Sequence, residues 1–428
     1  MVAAFLTLFL VLVVLGVPIA VALGGAALGY VLFQDGLSLT LLVQTSFAGM
    51  SSFPLLAIPL FMLAGNLMNE GGITHDLVRF ARQAMGHVSG GLGLATILAS
   101  AIFAAISGSA VATAVAIGSV MLPAMHAAGY EDDVSAAVTA TAACMGPVIP
   151  PSIPFIIYGV LANVSIAALF LAGILPGVLL GLALMTYMIL TARRRGYPFG
   201  ERTRLGELLE GTVRALPALL MPVLIVGGIL GGIFTPTEAA GVAVAYAFLV
   251  GVFFYRKIRL RRIPALLLAA GLETAVVMLL LGLSEPFAWV VAVEQLPLKA
   301  VGLLAEWSTS PVVFLLLVNL FLLLVGIPME TAPALTIVTP VLAPMAEKMG
   351  IDPVHFGVIV CFNLVLGLIT PPVGGVLFSI CSISGLSLER LSRAIWIPFL
   401  IAVAVLLLVT LVPSLSTFIP AAFLTGRP

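Results

Sequence analysis

Apolar runs of membrane length, separated by short polar punctuation, dominate the chain from end to end. A spanning helix takes about 20 mostly apolar residues, and this length suggests roughly ten of them folded as one unit. Residues 1–33 read as two short spans or one broken span, with Gly16 and Pro18 at the break. Residues 54–69 read as another. The stretches 215–233 and 236–255 read as a helix pair. After 54–69 the pattern changes. His75, Asp76, Arg79, Arg82 and Gln83 alternate with Leu77, Val78, Phe80, Ala81 and Met85 at helical spacing. That pattern predicts a helix lying in the membrane interface rather than crossing it. LSLERLSRAIW, with Glu389, Arg390 and Arg393, predicts a second.

Four longer runs are interrupted in the middle. Residues 91–128 break at Ser107-Gly108-Ser109, and 131–163 break at Gly146-Pro147-Val148-Ile149-Pro150-Pro151-Ser152. Farther along, 311–349 break at Gly326-Ile327-Pro328-Met329-Glu330-Thr331, and 353–385 break between Gly367 and Gly374. The two pairs align without gaps at a constant offset of 221: Pro123 on Pro344, Gly129 on Gly350, Gly146 on Gly367, Pro150-Pro151 on Pro371-Pro372. This predicts an internal repeat, with a first unit over 40–200 and a second over 260–420 of a single integral unit, 1–428. Paired broken helices in corresponding positions of two halves point to the binding site of a secondary transporter. Irregular backbone at membrane depth is tolerated only inside protein or along a cavity. There its freed carbonyls suit a bare cation, and helix N-termini suit an anion. Ser107, Ser109, Thr331 and Thr370 add hydroxyl oxygens at these breaks.

Composition agrees. Hydrophobic residues make up 62% and charged residues 8%, against roughly 25% charged in soluble domains. Net charge is zero, which gives no reason to expect nucleic acid. Cys144, Cys361 and Cys381 have no metal or disulfide spacing. Two basic stretches, 193–214 (Arg193, Arg194, Arg195, Arg202, Arg204) and 256–263 (Arg256, Lys257, Arg259, Arg261, Arg262), flank the helix pair. Two spans return the chain to the same side, so both can be cytoplasmic loops, as the positive-inside rule requires. No GxxxxGK[ST] loop supports a primary pump. No HExxH or convergent acid–base group supports a membrane enzyme. The expected fold is therefore an all-α polytopic membrane protein.

At these residues the sequence resembles the large membrane subunit, the DctM type, of tripartite ATP-independent periplasmic (TRAP) transporters. The strings that carry the resemblance are AIPLFMLAGNLMNEGGI (57–73), FAAISGSAVATAVAIGSVMLPAM (103–125), GPVIPPSIPFIIYG (146–159), GGIFTPTEAAGVAVAYAF (231–248), GIPMETAP (326–333) and GIDPVHFGVIVCFNLVLGLITPPVGGVLF (350–378). The resemblance implies about eleven transmembrane segments, two re-entrant helical hairpins and an inverted repeat. It implies an elevator-type, Na+-coupled importer of small organic anions such as C4-dicarboxylates, sialic acids, keto acids or sugar acids. It implies a bacterial inner-membrane location, a separate small four-helix membrane subunit and a periplasmic solute-binding protein. It also implies one Na+ site at Ser107, Ser109, Gly146, Ile149 and Pro151, and a second at Gly326, Thr331, Gly367, Thr370 and Pro372. Ile149 could contribute only its backbone carbonyl. Ser109, Ser152 and Thr331 are expected to contact the anion. A solitary ion-coupled carboxylate transporter of related broken-helix plan is the alternative.

Two carboxylates within or near apolar stretches are functional candidates because their burial is expensive. Glu330 lies beside the second expected Na+ site and could tune it or carry a proton. Glu238, in FTPTEAA, could do likewise or cap a helix entered at Thr235-Pro236-Thr237. His75, His87, His126 and His355 fall at segment ends without ligand spacing and read as interfacial polar residues rather than ligands.

Overall fold

The computed structural model describes residues 2–34, 37–197, 205–296 and 310–424, and these are helical with no strand among them. The first group of helices is α1 (Val2–Val14), α2 (Ile19–Phe33), α3 (Leu39–Met50) and α4 (Ala57–Glu70). As the sequence predicts, α1 and α2 are separate short helices, and Gly16 makes the turn with φ +77°. They pack antiparallel: Leu12 lies against Gly25, Leu8 against Gly29, and the Phe5 and Tyr30 rings meet edge to face. After a polar break, α11 (Leu205–Leu230), α12 (Pro236–Leu249) and α13 (Ile263–Val293) complete this group. Helix α12 packs on α4, and α13 on α2, α3 and α4. The α13 face away from them carries exposed Leu267, Leu268, Leu272, Val276 and Leu279. Only 28% of its most apolar stretch is buried, against 61% in the helix over Ile166–Arg195. Such a stripe is a lipid-facing surface; water would not tolerate it.

Glu238 caps α12. Its carboxylate accepts from the Thr235 N–H (2.8 Å) and hydroxyl (2.9 Å), while the Thr235 oxygen accepts from the Glu238 N–H (3.3 Å). This reciprocal box gives acceptors to two N–H groups that the helix start leaves without partners. Thr235→Ala is expected to lower stability by about 1 kcal/mol and leave transport unchanged. Thermal melting of the purified protein beside an uptake assay checks both halves.

The second group has two series in the same order. The first is α6 (Gly91–Ser107), α7 (Ala110–Ala127), α8 (Asp132–Ala143), α9 (Ile153–Leu161) and α10 (Ile166–Arg195). The second is α14 (Pro311–Gly326), α15 (Thr331–Lys348), α16 (Pro353–Gly367), α17 (Gly375–Ser384), then the bent pair α18 (Leu388–Ala394) and α19 (Trp396–Leu411), followed by α20 (Ser414–Leu424). Helices α7 and α15 have 18 residues each. The series run in opposite directions. Glu131, at the start of α8, is ion-paired with Arg195 at the end of α10, and Asp133 with Arg390 of α18 (2.6 Å). Pro353, at the start of α16, instead accepts from the Tyr158 hydroxyl near the far end of α9 (3.3 Å). So α8 and α16 enter from opposite faces. They meet where the Cys144 thiol points at the Val365 carbonyl (3.8 Å), two positions 221 apart. A contact between equivalent residues is what a pseudo-two-fold axis produces.

Six helices or helix stretches among the described residues are long and apolar enough to cross a membrane, and the pair α18–α19, bent by 52°, would make a seventh. The remaining apolar helices are short because the Gly and Pro breaks divide the runs. Helix α5 (Ile73–Met85) is amphipathic as expected. It buries Ile73, Leu77, Val78 and Ala81 on α6 and α11 and exposes His75, Arg79 and Arg82. The short α18 exposes Glu389, Arg390 and Arg393.

The basic stretch expected as a loop over 193–214 is shorter than that. Arg193–Arg195 form the last turn of α10, and α11 already begins at Leu205. Cations favour the negative end of the helix dipole, which extends the helix to the charges. Arg202 and Arg204 lie outside the described residues. The second basic stretch contains a 3-10 turn, Leu260–Arg262, and its Arg262 pairs with Glu70 (3.2 Å).

Candidate functional site

Each hairpin is interrupted for a local reason. Helix α6 stops at Ser107 because Gly108 takes the left-handed conformation, φ +62°, which glycine adopts freely. Helix α7 restarts on Ser109, whose side chain accepts from the Ala112 N–H (3.3 Å). In the second hairpin α14 ends at Gly326 and α15 starts after Glu330. Glu330 is exposed, and its side chain makes no cap bond.

The structure brings the first set of expected residues together. A β-carbon on Gly146 would lie 2.6 Å from the Ser109 carbonyl oxygen, and one on Gly108 would lie 2.7 Å from the Pro151 carbonyl oxygen. The Ser107-Gly108-Ser109 turn therefore sits backbone to backbone on the broken segment between α8 and α9. Ser107 is buried. Ile149 lies in that broken segment, and its side chain points at Gly177 of α10, leaving only backbone for any site there. Ser152 is fully buried; its hydroxyl donates to the Pro147 carbonyl and accepts from the Phe155 N–H (3.2 Å). It holds the loop shut and caps α9.

One residue here escaped the sequence reading. Thr113, fully buried one turn into α7, donates to the Ser109 carbonyl (2.7 Å) and lies 3.0 Å from the Ser107 hydroxyl. Since the Thr113 proton is given to Ser109, its oxygen accepts from Ser107. One Ser107 lone pair accepts from the Ser109 N–H (3.4 Å), and the other is left for another partner. The signal available was a threonine one turn past SGS in a run otherwise apolar.

The second set repeats the packing with different atoms. A β-carbon on Gly367 would lie 2.6 Å from both the Cα and the carbonyl oxygen of Gly326. Thr370 is buried, and its hydroxyl donates to the Leu366 carbonyl (2.9 Å). Thr331 is buried with a hydroxyl that has no partner. Pro372 is exposed beside Val373 at the tip of its turn. Both Pro150–Pro151 and Pro371–Pro372 are cis peptides. Two turns before Gly326, Asn319 donates to Leu315 (2.9 Å) and to the Thr410 hydroxyl (3.1 Å). Asn363 donates to the Asn319 side-chain oxygen (2.8 Å) and backbone (3.0 Å). This buried polar tie between α14, α16 and α19 was also readable, since asparagines inside apolar runs are functional or structural by necessity.

Histidine chemistry is local. His355 is buried against Ser416 (2.6 Å), rather than interfacial, and exposed His126 pairs with Asp132 (2.7 Å). No group of three or more His, Cys, Asp or Glu able to hold a metal occurs among the described residues.

The arrangement has helix C-termini, freed carbonyls and hydroxyls converging at two related breaks inside an apolar, multi-pass protein. That defines the class: a membrane transporter of the broken-helix type. The chain belongs to the family described as "Tripartite ATP-independent periplasmic transporter, DctM component", which it matches over residues 6–415. It is a transporter permease and not an enzyme. It is 41% identical to the protein YgiK of Salmonella typhimurium, over 97% of this chain and 96% of that one. It is 38% identical to the sialic acid TRAP transporter large permease protein SiaM of Vibrio cholerae, with 96% of each covered. Identity is 40% to the isethionate TRAP transporter permease protein DctMQ of Oleidesulfovibrio alaskensis, covering 96% of this chain and 65% of the relative. Among solved structures, the YdaH transporter of Alcanivorax borkumensis shares the fold: TM-score 0.66, 15% identity, 89% of each chain.

Proposed function

We propose that this chain is the large membrane subunit of a Na+-coupled importer of small organic anions in a bacterial inner membrane. It works with a small membrane subunit and takes its solute from a periplasmic binding protein, moving by an elevator motion. The observation that carries this reading is the matched packing of two broken hairpins on two broken helices about one pseudo-two-fold axis. Relatives named for sialic acid, C4-dicarboxylate and 2,3-diketo-L-gulonate transport support an anionic cargo. Ser107, Ser109, Gly146, Ile149 and Pro151 form one Na+ site, largely from carbonyls. Gly326, Thr331, Gly367, Thr370 and Pro372 form the other. The anion lies between them against Ser109 and Thr331, while Ser152 keeps its loop in place. Without Na+ the buried carboxylate would lack compensating charge, so binding would be weak.

Uptake of labelled carboxylates into proteoliposomes, with the small subunit and binding protein added, tests the reading. The expected result is uptake that requires an inward Na+ gradient and the binding protein. Uptake by this chain alone, or driven only by protons, would overturn it in favour of a solitary transporter. Within the assay, Ser107→Ala and Thr370→Ala each remove one hydroxyl worth about 1 kcal/mol. Each is expected to raise the Na+ concentration for half-maximal uptake about fivefold. Unchanged Na+ activation in both would remove these residues from the sites.

A further inference from the structure

A cavity of about 860 Å³ separates the two groups of helices on the side away from the Arg195 end. One wall belongs to α3 and α13 and carries Glu285; the other belongs to α9, α15 and α16 and carries Thr339, Pro340, Pro344 and Glu347. Three features of these walls go together. Thr339 is 1% exposed, and its hydroxyl has no hydrogen-bond partner. Pro344 lacks the N–H that would bond the residue four positions earlier, so the carbonyl of Pro340 loses its helical donor. Carboxylates come from both sides: Glu347 from α15 and Glu285 from α13. Helix α3 makes room for the second with a glycine, since a β-carbon on Gly49 would lie 2.8 Å from the Glu285 Cβ.

A buried hydroxyl, a freed carbonyl and carboxylates, with no histidine or thiol among the cavity's lining residues, form a donor set for a hard cation. Resting on the Na+-coupled reading above, we propose that this cavity is an additional Na+ site, with Thr339, the Pro340 carbonyl, Glu285 and Glu347 as its donors. Its ligands are divided between the two helix groups. A cation bound there holds the groups in the arrangement seen here and must leave, or be handed on, before they slide. Helix α15 links it to the second break, because Thr331 and Thr339 stand two turns apart on the same helix, about 12 Å along the axis.

The test uses the full chain with Ala343→Cys as reporter, in a Cys381→Ser background, because Cys144 and Cys361 are buried. Ala343 lines the cavity. The probe is maleimide labelling in NaCl against choline chloride. Na+ at about ten times its dissociation constant is expected to slow labelling about tenfold. The protection is expected to persist when Ser107→Ala and Thr370→Ala are added, to survive Thr339→Ser, and to disappear in Thr339→Val and in Glu285→Gln. Protection unchanged by Thr339→Val and Glu285→Gln overturns the proposal. So does protection lost with the two break substitutions, which would mean the cavity only reports on Na+ bound at the breaks. Absence of any Na+ protection also overturns it, while the uptake assay decides the break sites independently.

Discussion

Gly367→Ala is expected to reduce Na+-dependent uptake to background while the protein still folds and inserts. The added β-carbon would lie 2.6 Å from the Cα and carbonyl oxygen of Gly326, both backbone atoms that cannot rotate away. Ordinary contact begins near 3.5 Å, so α14 and α16 must part by about an ångström. Overpacking of this kind costs about 1–3 kcal/mol, which a protein of this size can survive. The displaced carbonyls are another matter, because a cation site depends on where its oxygens are. Gly146→Ala, the equivalent change in the first repeat, drives a β-carbon to 2.6 Å from the Ser109 carbonyl oxygen and is expected to do the same. The control is Gly350→Ala. Gly350 has φ +72° and open space around it, so alanine there suffers about 1–2 kcal/mol of backbone strain without touching a break. Comparable melting temperatures with opposite uptake outcomes would separate geometry from stability. Retention of Na+-driven uptake within twofold in Gly367→Ala would show that the Gly326–Gly367 contact has no part in the site.

The breaks were legible in sequence because breaking a membrane helix requires glycine and proline, and both are conspicuous in apolar runs. Constant spacing made the repeat visible for the same reason. The opposite direction of the two series was inferred from sequence only through fold expectation; in the structure it follows from the Glu131–Arg195 and Tyr158–Pro353 contacts. Composition has no way of saying which short helices join end to end, so segment count was less secure than segment existence. Charge alone does not set the limits of the basic loop, because arginines also extend a helix C-terminus, as Arg193–Arg195 do here. Sequence offers Glu238 two roles that only its distance to Thr235 separates. Most of the first candidate site consists of backbone atoms, and a sequence specifies those only indirectly, through the residues that permit the close approach. Side-chain oxygens that orient the site, such as Thr113, look in sequence like any other buried threonine.

Thr113→Val is expected to raise the Na+ concentration for half-maximal uptake roughly thirtyfold, with a stability loss of no more than about 2 kcal/mol. Valine keeps the β-branched shape and volume, so α7 and its packing persist. Two hydrogen bonds are lost: the one given to the Ser109 carbonyl at 2.7 Å and the one accepted from Ser107 at 3.0 Å. At about 1 kcal/mol each, their combined effect of about 2 kcal/mol corresponds to that factor. The direction follows from proton positions. With Thr113 present, the Ser107 proton is committed to Thr113, and the lone pair not used by the Ser109 N–H (3.4 Å) is free for a cation. Without it, the Ser107 proton has only the Ser109 carbonyl, 3.4 Å away, as a partner in the turn, and that bond ties up another oxygen of the proposed site. Thr113→Ser retains the hydroxyl and should stay near the wild-type value. Equal Na+ activation in the valine and serine variants would mean that Thr113 only packs α7, and that the orientation of the Ser107 hydroxyl does not govern cation binding at this break.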